Sequence, residues 1–144
     1  MQHHKQVKYH MEPKPVFLKP TDTVEEAARK MENIDCGIFP VGTQEKVEGM
    51  ITDRDITVRT VAEGKNPLEL TVSDAMTANA ITVTPLTSLE DCCNLMESNQ
   101  VRRVAVIDEK GACCGIIAQA DIAVNGDQRK TAEVVQEVSK ATGA

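Results

Sequence analysis

The chain repeats itself, and this internal repeat constrains the fold more than any other feature of the sequence. At an offset of 65 residues, Val7, Met11, Pro20, Glu25, Met31, Glu32 and Val41 match Val72, Met76, Pro85, Glu90, Met96, Glu97 and Val106. After one extra residue the offset becomes 66, and Gly49, Ile51, Asp55, Ile56 and Val58 match Gly115, Ile117, Asp121, Ile122 and Val124. Because the matches stay in register across each half, we predict two copies of one structural unit of about 60 residues.

Each copy predicts the same order of elements: strand, helix, strand, strand, helix. The alternating segments PVFLKP and AITVTP are typical of short half-buried strands. Thr23 and Ser88 each precede an acidic residue by three positions, which is the pattern of a capping box at a helix start. Two apolar runs separated by a turn then predict two buried strands. A second helix is expected at about 53–62 and from about 121 onward.

The first helix of each copy has apolar residues at i, i+3, i+4 and i+7, which predicts one buried stripe. The stripe residues are Val24, Ala27, Ala28 and Met31 in the first copy and Leu89, Cys92, Cys93 and Met96 in the second. We therefore predict an α+β fold in which two small three-stranded sheets pack with pseudo-twofold symmetry.

The domain boundaries follow from the repeat and from the turn residues between its copies. The two copies are expected at 7–62 and 72–125, joined by a linker at 63–71 that contains Gly64 and Pro67. The remaining residues, 126–144, are expected to form a helical tail.

Composition excludes several classes of partner. The 144 residues carry a formal net charge of -6 with a pI of about 5.1, so no basic surface for nucleic acid is expected. No apolar run reaches the roughly 18 residues that span a membrane, and the polar start has no signal-peptide core. Five cysteines, an odd number, do not resemble a secreted disulfide framework. We expect a cytoplasmic protein, and we assign no role to His3 and His4.

The segment GMITDRDI, residues 49–56, carries the clearest chemical signal. It lies where a strand is predicted to end and a helix to begin, and the free N–H groups of a helix start favour an anion. Thr52 offers a hydroxyl and Arg54 a guanidinium to a phosphate. Asp55 can accept hydrogen bonds from two neighbouring ribose hydroxyls. The alternative is that Thr52 or Asp53 only caps the helix, with Asp53 and Asp55 complementing its dipole.

The duplicated motifs resemble a known family. The pattern hxVxP, A(A/C)xxM, (P/A)V and GhhTxxD is similar to a CBS pair, the regulatory module named after cystathionine β-synthase, over about residues 7–125. GMITDRDI resembles the nucleotide signature of that family, and VRRVAVID resembles its second-strand segment. The resemblance implies a freestanding module of bacterial type, with two clefts between the repeats for adenosine-containing ligands such as AMP, ATP, NAD or S-adenosylmethionine.

The resemblance also implies ligand contacts in each copy. In the first copy Asp55 would hold the ribose hydroxyls, Thr52 the phosphate and Ile51 the ribose through its backbone, while Val16 and Ile38 would line the adenine slot. In the second copy, the matching candidates are Asp121 for the ribose and Ile81 and Val104 for the base.

The second copy, GIIAQADI, departs from the pattern. Ala118 replaces the hydroxyl residue, and Gln119 and Ala120 replace Asp53 and Arg54. Because a lost hydrogen bond to a ligand costs roughly 1–3 kcal/mol, we expect this site to be weaker by one to two decades. Arg102 or Arg103 is a candidate to compensate for the loss by facing the cleft.

Two other interpretations carry less support. Asp53 and Asp55 form a D-x-D pair that could bind a catalytic metal ion, but the sequence offers no nucleophile with a base beside it, so no enzyme is expected. The cysteines show neither C-x-x-C nor a histidine at metal-ligand spacing, so no metal site is expected. Cys92 and Cys93 take the places of Ala27 and Ala28, where a small apolar side chain packs.

The expected function is ligand sensing without catalysis. An adenosyl ligand that bridges the repeats would shift the population of their arrangements, with no obligatory cofactor. The partners expected are a second copy of the chain, through apolar helix faces, and a downstream protein of unknown identity. The alternative is a structural interaction module whose ligand cleft is vestigial.

Overall fold

The computed structural model describes residues 5–125. The predicted tail at 126–144 and the pair His3 and His4 lie outside this range. The elements in chain order are a 3₁₀ turn (Val7–Tyr9), β1 (Glu12–Pro13), α1 (Val24–Ile34), β2 (Ile38–Gly42), β3 (Val47–Thr52), α2 (Asp53–Ile56), a π-helical segment (Thr57–Val61), α3 (Val72–Ala75), β4 (Thr77–Ala78), β5 (Thr82–Val83), α4 (Leu89–Asn99), β6 (Arg103–Ile107), β7 (Cys113–Ala118) and α5 (Gln119–Asn125).

The described chain divides into two compact units. Residues 15–80 form the first, here called the central unit, and residues 5–14 together with 81–125 form the second, here called the split unit. Each unit has its own small sheet and its own apolar core. The predicted α+β class with two small sheets is confirmed, but the prediction of three strands in each was wrong for the split unit, whose sheet has four because β1 adds to its edge.

The two sheets have matching strand orders. In the central unit the order is β2-β3-β4, all antiparallel, and Leu18 adds a parallel bridge to Val41 at the β2 edge. In the split unit the order is β1-β7-β6-β5, with β5 parallel to β6 and the other pairs antiparallel. The parallel edge in each unit is therefore followed by two antiparallel strands and a short edge strand.

The compact units are out of phase with the sequence repeat. β4, which opens the second copy, pairs with β3 of the central unit, and β1, from the first copy, pairs with β7 of the split unit. The segment 63–71, expected as a linker, lies inside the central unit, where Leu70 O accepts a 2.9 Å bond from Val24 N. The edge strand of each unit thus comes from the other copy of the repeat.

The helix starts follow the capping signals of the sequence. Thr23 Oγ1 accepts from Glu26 N at 3.1 Å while Glu26 Oε2 accepts from Thr23 N at 3.0 Å, which is a complete capping box. Ser88 Oγ accepts from Asp91 N at 3.0 Å and forms one half of that arrangement. Both predicted helix starts are confirmed.

Most of the predicted stripe residues are buried. Val24 and Ala27 lie in the central core and Met31 packs against it, but Ala28 is exposed, so its assignment to the buried face was wrong. All four stripe residues of α4 lie in the core of the split unit: Leu89, Cys92, Cys93 and Met96. Alanine has too little apolar surface for a four-residue pattern to decide its side of the helix.

Two elements differ from the sequence prediction. The segment PVFLKP contributes only the bridge at Leu18, whose N donates to Pro40 O and whose O accepts from Gly42 N. The proline at each end lacks an N–H donor, which keeps this segment from extending the ladder. The helix predicted at 53–62 is present, but its second half, Thr57–Val61, is π-helical.

Candidate functional site

The segment GMITDRDI lies at the predicted junction between a strand and a helix. β3 ends at Thr52 and α2 begins at Asp53, and Asp53 N donates to Gly37 O at 3.0 Å, just before β2. Thr52 also pairs across the sheet with Ile38, the first residue of β2. This register brings Thr52, Asp55 and Ile38 to one end of the central sheet.

Thr52 and Asp55 hold each other in a complete capping box. Thr52 Oγ1 accepts from Asp55 N at 3.1 Å, and Asp55 Oδ2 accepts from Thr52 N at 2.9 Å. The helix-cap interpretation of these residues is therefore confirmed. It does not compete with ligand binding, because the Thr52 hydroxyl accepts through a lone pair and can still donate its hydrogen, and each carboxylate oxygen can accept more than one bond.

Thr77 is a part of this site that the sequence analysis missed. Its Oγ1 donates to Asp55 Oδ1 at 3.3 Å from the edge strand β4, 22 residues further along the chain. Thr77 aligns in the repeat with Glu12, a different residue, so the repeat gives no signal for this contact. A pattern of matches cannot show which unit an edge strand joins.

The other candidates of the first copy differ in exposure. The Ile51 side chain is buried in the central core, which is compatible with a contact through its backbone. Ile38 is 5% exposed and Val16 is 40% exposed, so Val16 offers more of its surface to a ligand. Arg54 is exposed immediately after the helix start.

The matching site of the split unit is simpler. Asp121 Oδ2 accepts from Ala118 N at 2.8 Å. Ala118 has no hydroxyl that could accept a hydrogen bond from Asp121 N, as Thr52 does from Asp55 N. Gln119 N donates to Arg102 O at 2.9 Å, as Asp53 N does to Gly37 O in the central unit. The Gln119 side-chain oxygen is buried and has no hydrogen-bond partner within residues 5–125. Ile81, the base-contact candidate, is half-buried.

Val104, a candidate base contact, has almost no exposed surface. Val104 is 1% exposed and belongs to the core of the split unit. Arg103 pairs with Ala118 as Ile38 pairs with Thr52, so Arg103, and not Val104, occupies the position of Ile38. A shift of one residue along a strand exchanges the two faces of the sheet. Arg103 is half-buried, so it joins Val104 as a candidate for the base contact.

The cysteines with altered pKa values have environments that suit packing. Burial, with a smaller contribution from the neighbouring Cys93, raises the pKa of Cys92 to about 12. Burial likewise raises the pKa of Cys113 and Cys114. These three thiols stay protonated near neutral pH and are poor nucleophiles. Within residues 5–125, no cluster of three or more His, Cys, Asp or Glu side chains is suited to a metal ion.

Among the helices of the described residues, none has the length and apolar character to cross a membrane.

The duplicated motif lies at a strand-to-helix junction in both units, at Thr52 in the central unit and at Ala118 in the split unit.

Comparison with known proteins gives a family match over both repeats. The model of the CBS domain matches residues 5–59 and 72–125. The CBS domain-containing protein YhcV of Bacillus subtilis is 39% identical over 108 residues, which cover 75% of this chain and 76% of YhcV. Hypoxic response protein 1 of Mycobacterium tuberculosis is 37% identical over 103 residues, which cover 71% of each chain.

Solved structures share the fold at lower identity. The CBS domain protein TA0289 of Thermoplasma acidophilum superposes with a TM-score of 0.85 at 20% identity, over 92% of this chain and 75% of that one. CBSX2 in complex with AMP gives a TM-score of 0.72, and the CBS domain pair of MJ0100 in complex with 5'-methylthioadenosine and S-adenosyl-L-methionine gives 0.75. Both are 24% identical over 83% of this chain and 93% of their own.

Proposed function

Because the chain belongs to the CBS domain family, we propose that it is a regulatory module that binds adenosine-containing ligands such as AMP, ATP or NAD and catalyses no reaction. The observation that carries the proposal is the Thr52–Asp55 pair at the end of β3, with Asp55 Oδ1 facing the hydroxyl of Thr77. A hydroxyl and a carboxylate at a helix start match a ligand that joins a phosphate to a ribose.

The proposed contacts follow from the chemistry of each group. The Thr52 hydroxyl and the exposed Arg54 guanidinium bind the phosphate. Asp55 accepts from the ribose hydroxyls and Ile51 contacts the ribose through its backbone. Val16 and Ile38 contact the adenine. In the split unit the corresponding residues are Asp121, Ile81 and Arg103.

The class of ligand draws on two proteins of the same fold. CBSX2 was solved with AMP and the MJ0100 pair with 5'-methylthioadenosine and S-adenosyl-L-methionine. At 24% identity these structures establish only a shared fold, so an adenosyl ligand for this chain remains our proposal.

The two sites are proposed to be unequal. The central unit has Thr52 and Arg54 for a phosphate, whereas the split unit has Ala118 and Ala120 in their places. Each missing bond costs roughly 1–3 kcal/mol, so the second site should bind a nucleotide more weakly by one to two decades.

Native mass spectrometry with increasing AMP, ATP or NAD tests both points. We expect one equivalent per chain to bind at low ligand concentration and a second only at a concentration about tenfold or more higher. Two equivalents bound with equal affinity would contradict the asymmetry, and no binding of any of these ligands would contradict the proposed function.

One observation favours the alternative of a structural module with a vestigial site. Both oxygens of Asp55 already have partners within the chain, and Thr52 already caps α2. In a vestigial site these contacts would serve stability alone. Copurified nucleotide, or a rise in Tm on adding adenine nucleotides, separates the two functions because a vestigial site yields neither.

We also propose that the chain acts as a cytoplasmic homodimer that signals to a downstream protein. Val58 and Val61, 45% and 70% exposed, leave apolar surface on the helical segment after Thr52. Light scattering of the wild type and of Val61→Asp tests the dimer: a dimeric wild type and a more dissociated variant are expected, and a monomeric wild type would contradict it.

A further inference from the structure

We infer that Thr77 positions the Asp55 carboxylate for ribose and that this contact adds to the greater affinity that Thr52 and Arg54 give the central site. The inference deepens the proposed function and rests on it. Thr77 lies outside the GMITDRDI motif and reaches the site only through the edge strand β4.

The two oxygens of Asp55 are held from two directions. Oδ2 accepts from Thr52 N at 2.9 Å, within the helix cap, and Oδ1 accepts from the Thr77 hydroxyl at 3.3 Å. One hydrogen bond would leave the carboxylate free to turn about that contact, whereas bonds to both oxygens fix its plane. Each oxygen keeps a lone pair for a ligand hydroxyl, so Thr77 orients the carboxylate and leaves it able to accept hydrogen bonds from the ribose.

The backbone of the motif explains how Thr77 comes so close. β4 pairs with β3 through Met50 with Thr77 and Gly49 with Ala78. A Cβ added at Gly49 would lie 2.6 Å from Thr77 O and 2.9 Å from the Met76 sulfur. The glycine that opens GMITDRDI therefore allows the approach of the strand that carries Thr77.

The split unit repeats this geometry with a different residue. β1 pairs with β7 through Glu12 with Ile116, so Glu12 occupies the place of Thr77, and Gly115 again permits the close approach. An ionised Glu12 has no hydrogen to donate and adds a negative charge on the side where Thr77 supplies a donor. Asp121 is held by Ala118 N at 2.8 Å, but Glu12 cannot supply the matching second bond.

The test combines a change at residue 77 with changes in the ribose. Thr77→Val removes the hydroxyl and keeps the shape, and Thr77→Ser restores a donor. We expect Thr77→Val to weaken AMP binding about tenfold by calorimetry and Thr77→Ser to bind within about twofold of wild type. The same Thr77→Val change should weaken 2',3'-dideoxy-AMP by less than about twofold, because that ligand has no ribose hydroxyls for Asp55 to hold.

The reciprocal variant supplies the matched control. Glu12→Thr in the split unit should strengthen AMP binding about tenfold at the site of Asp121, measured in an Asp55→Ala background, and leave the central site unchanged in the wild-type background.

Several results would overturn the inference. Equal AMP affinity in wild type and Thr77→Val would show that Thr77 has no role in ribose binding. An equal loss of affinity for AMP and for 2',3'-dideoxy-AMP would show that the effect of the substitution is purely structural. Both outcomes leave the proposed function standing. A wild type that binds no AMP would overturn the proposed function and this inference together.

Discussion

At the scale of single residues, the Thr52–Asp55 pair combines an observed role with a proposed one. The side chains cap α2 for each other, and the same oxygens are the ones that we propose bind a ribose and a phosphate. Sequence patterns alone could not choose between cap and ligand contact, since both roles use the same residue types. The structure makes the choice unnecessary because the cap leaves the hydroxyl hydrogen and carboxylate lone pairs for a ligand.

Two features of the site depend on strand pairing, which the sequence did not show. Thr77 contacts Asp55 from 22 residues away, and Arg103, rather than Val104, lies at the position of Ile38 in the sheet. The order of residues within a motif is local information, whereas strand register and the choice of edge strand depend on tertiary pairing. The capping contacts within GMITDRDI could therefore be predicted, whereas the contacts made across the sheet could not.

The cysteines allow a prediction about reactivity. Cys36 is half-buried and its Sγ lies 3.2 Å from Ile38 O, whereas Cys92 and Cys113 are fully buried with raised pKa values. Timed alkylation of the native protein near pH 7.5, read by peptide mass spectrometry, should modify Cys36 first. Cys92 and Cys113 should react only after denaturant is added. Rapid native labelling of Cys92 would contradict the burial described here.

At the scale of elements, Arg59 ties the π-helical segment to the end of α3. Its Nη1 donates to Ala75 O at 3.1 Å and to Met76 O, and Met76 directly precedes Thr77. A guanidinium at the carbonyl end of a helix satisfies free acceptors and complements the helix dipole. Arg59 therefore supports the start of the edge strand that carries Thr77.

Replacing Arg59 should destabilise the central unit. Arg59→Met keeps the aliphatic part of the side chain and removes the charged donors, with an expected loss of about 1.5–3 kcal/mol in the free energy of unfolding. The matched control is Arg29→Met, which removes an ion pair to Glu25 from an arginine whose side chain is 74% exposed. That change should cost about 0.5 kcal/mol or less. Equal losses in urea denaturation would contradict a specific role for Arg59.

Element starts were better predicted than element lengths. Thr23, Thr52 and Ser88 each accept from the backbone three residues ahead, so the capping signals located real helix starts. The segment PVFLKP formed only one bridge, at Leu18, and its Val16 is 40% exposed. The length of a ladder depends on the hydrogen-bond donors that the strands offer, and the proline at each end of this segment has none.

At the scale of the whole molecule, the edge strands are exchanged between the copies of the repeat. β1 belongs by sequence to the first copy and by structure to the split unit, and β4 shows the reverse. A repeated sequence predicts the same elements whether each edge strand pairs within its own copy or with the other. The number of units was thus predictable, whereas the partner of each edge strand was not.

The exchange predicts where core mutations act. Val7 and Val72 match in the repeat and are both fully buried, Val7 in the core of the split unit and Val72 in the core of the central unit. Val7→Ala should lower stability by about 1–3 kcal/mol and raise hydrogen exchange in β6 and β7. Val72→Ala should instead raise exchange in β2 and β3. The opposite distribution of exchange would contradict the assignment of the edge segments.

The central claim, that Thr52 and Asp55 form a ribose-phosphate site as well as a helix cap, requires a control for the cap itself. Thr71 and Asp74 form the same capping box at the start of α3, where the Thr71 backbone N–H and hydroxyl hold the pKa of Asp74 below its ordinary value. Asp74→Ala therefore removes an equivalent cap and keeps every side chain of the proposed site.

Calorimetric titration of wild type, Asp55→Ala and Asp74→Ala with AMP tests the claim most directly. Wild type and Asp74→Ala should bind AMP with the same Kd within about twofold, and Asp55→Ala should lose the stronger site, with at least a roughly tenfold increase in Kd. Tight binding that is unaffected by Asp55→Ala, or an equal loss in Asp55→Ala and Asp74→Ala, would contradict the claim.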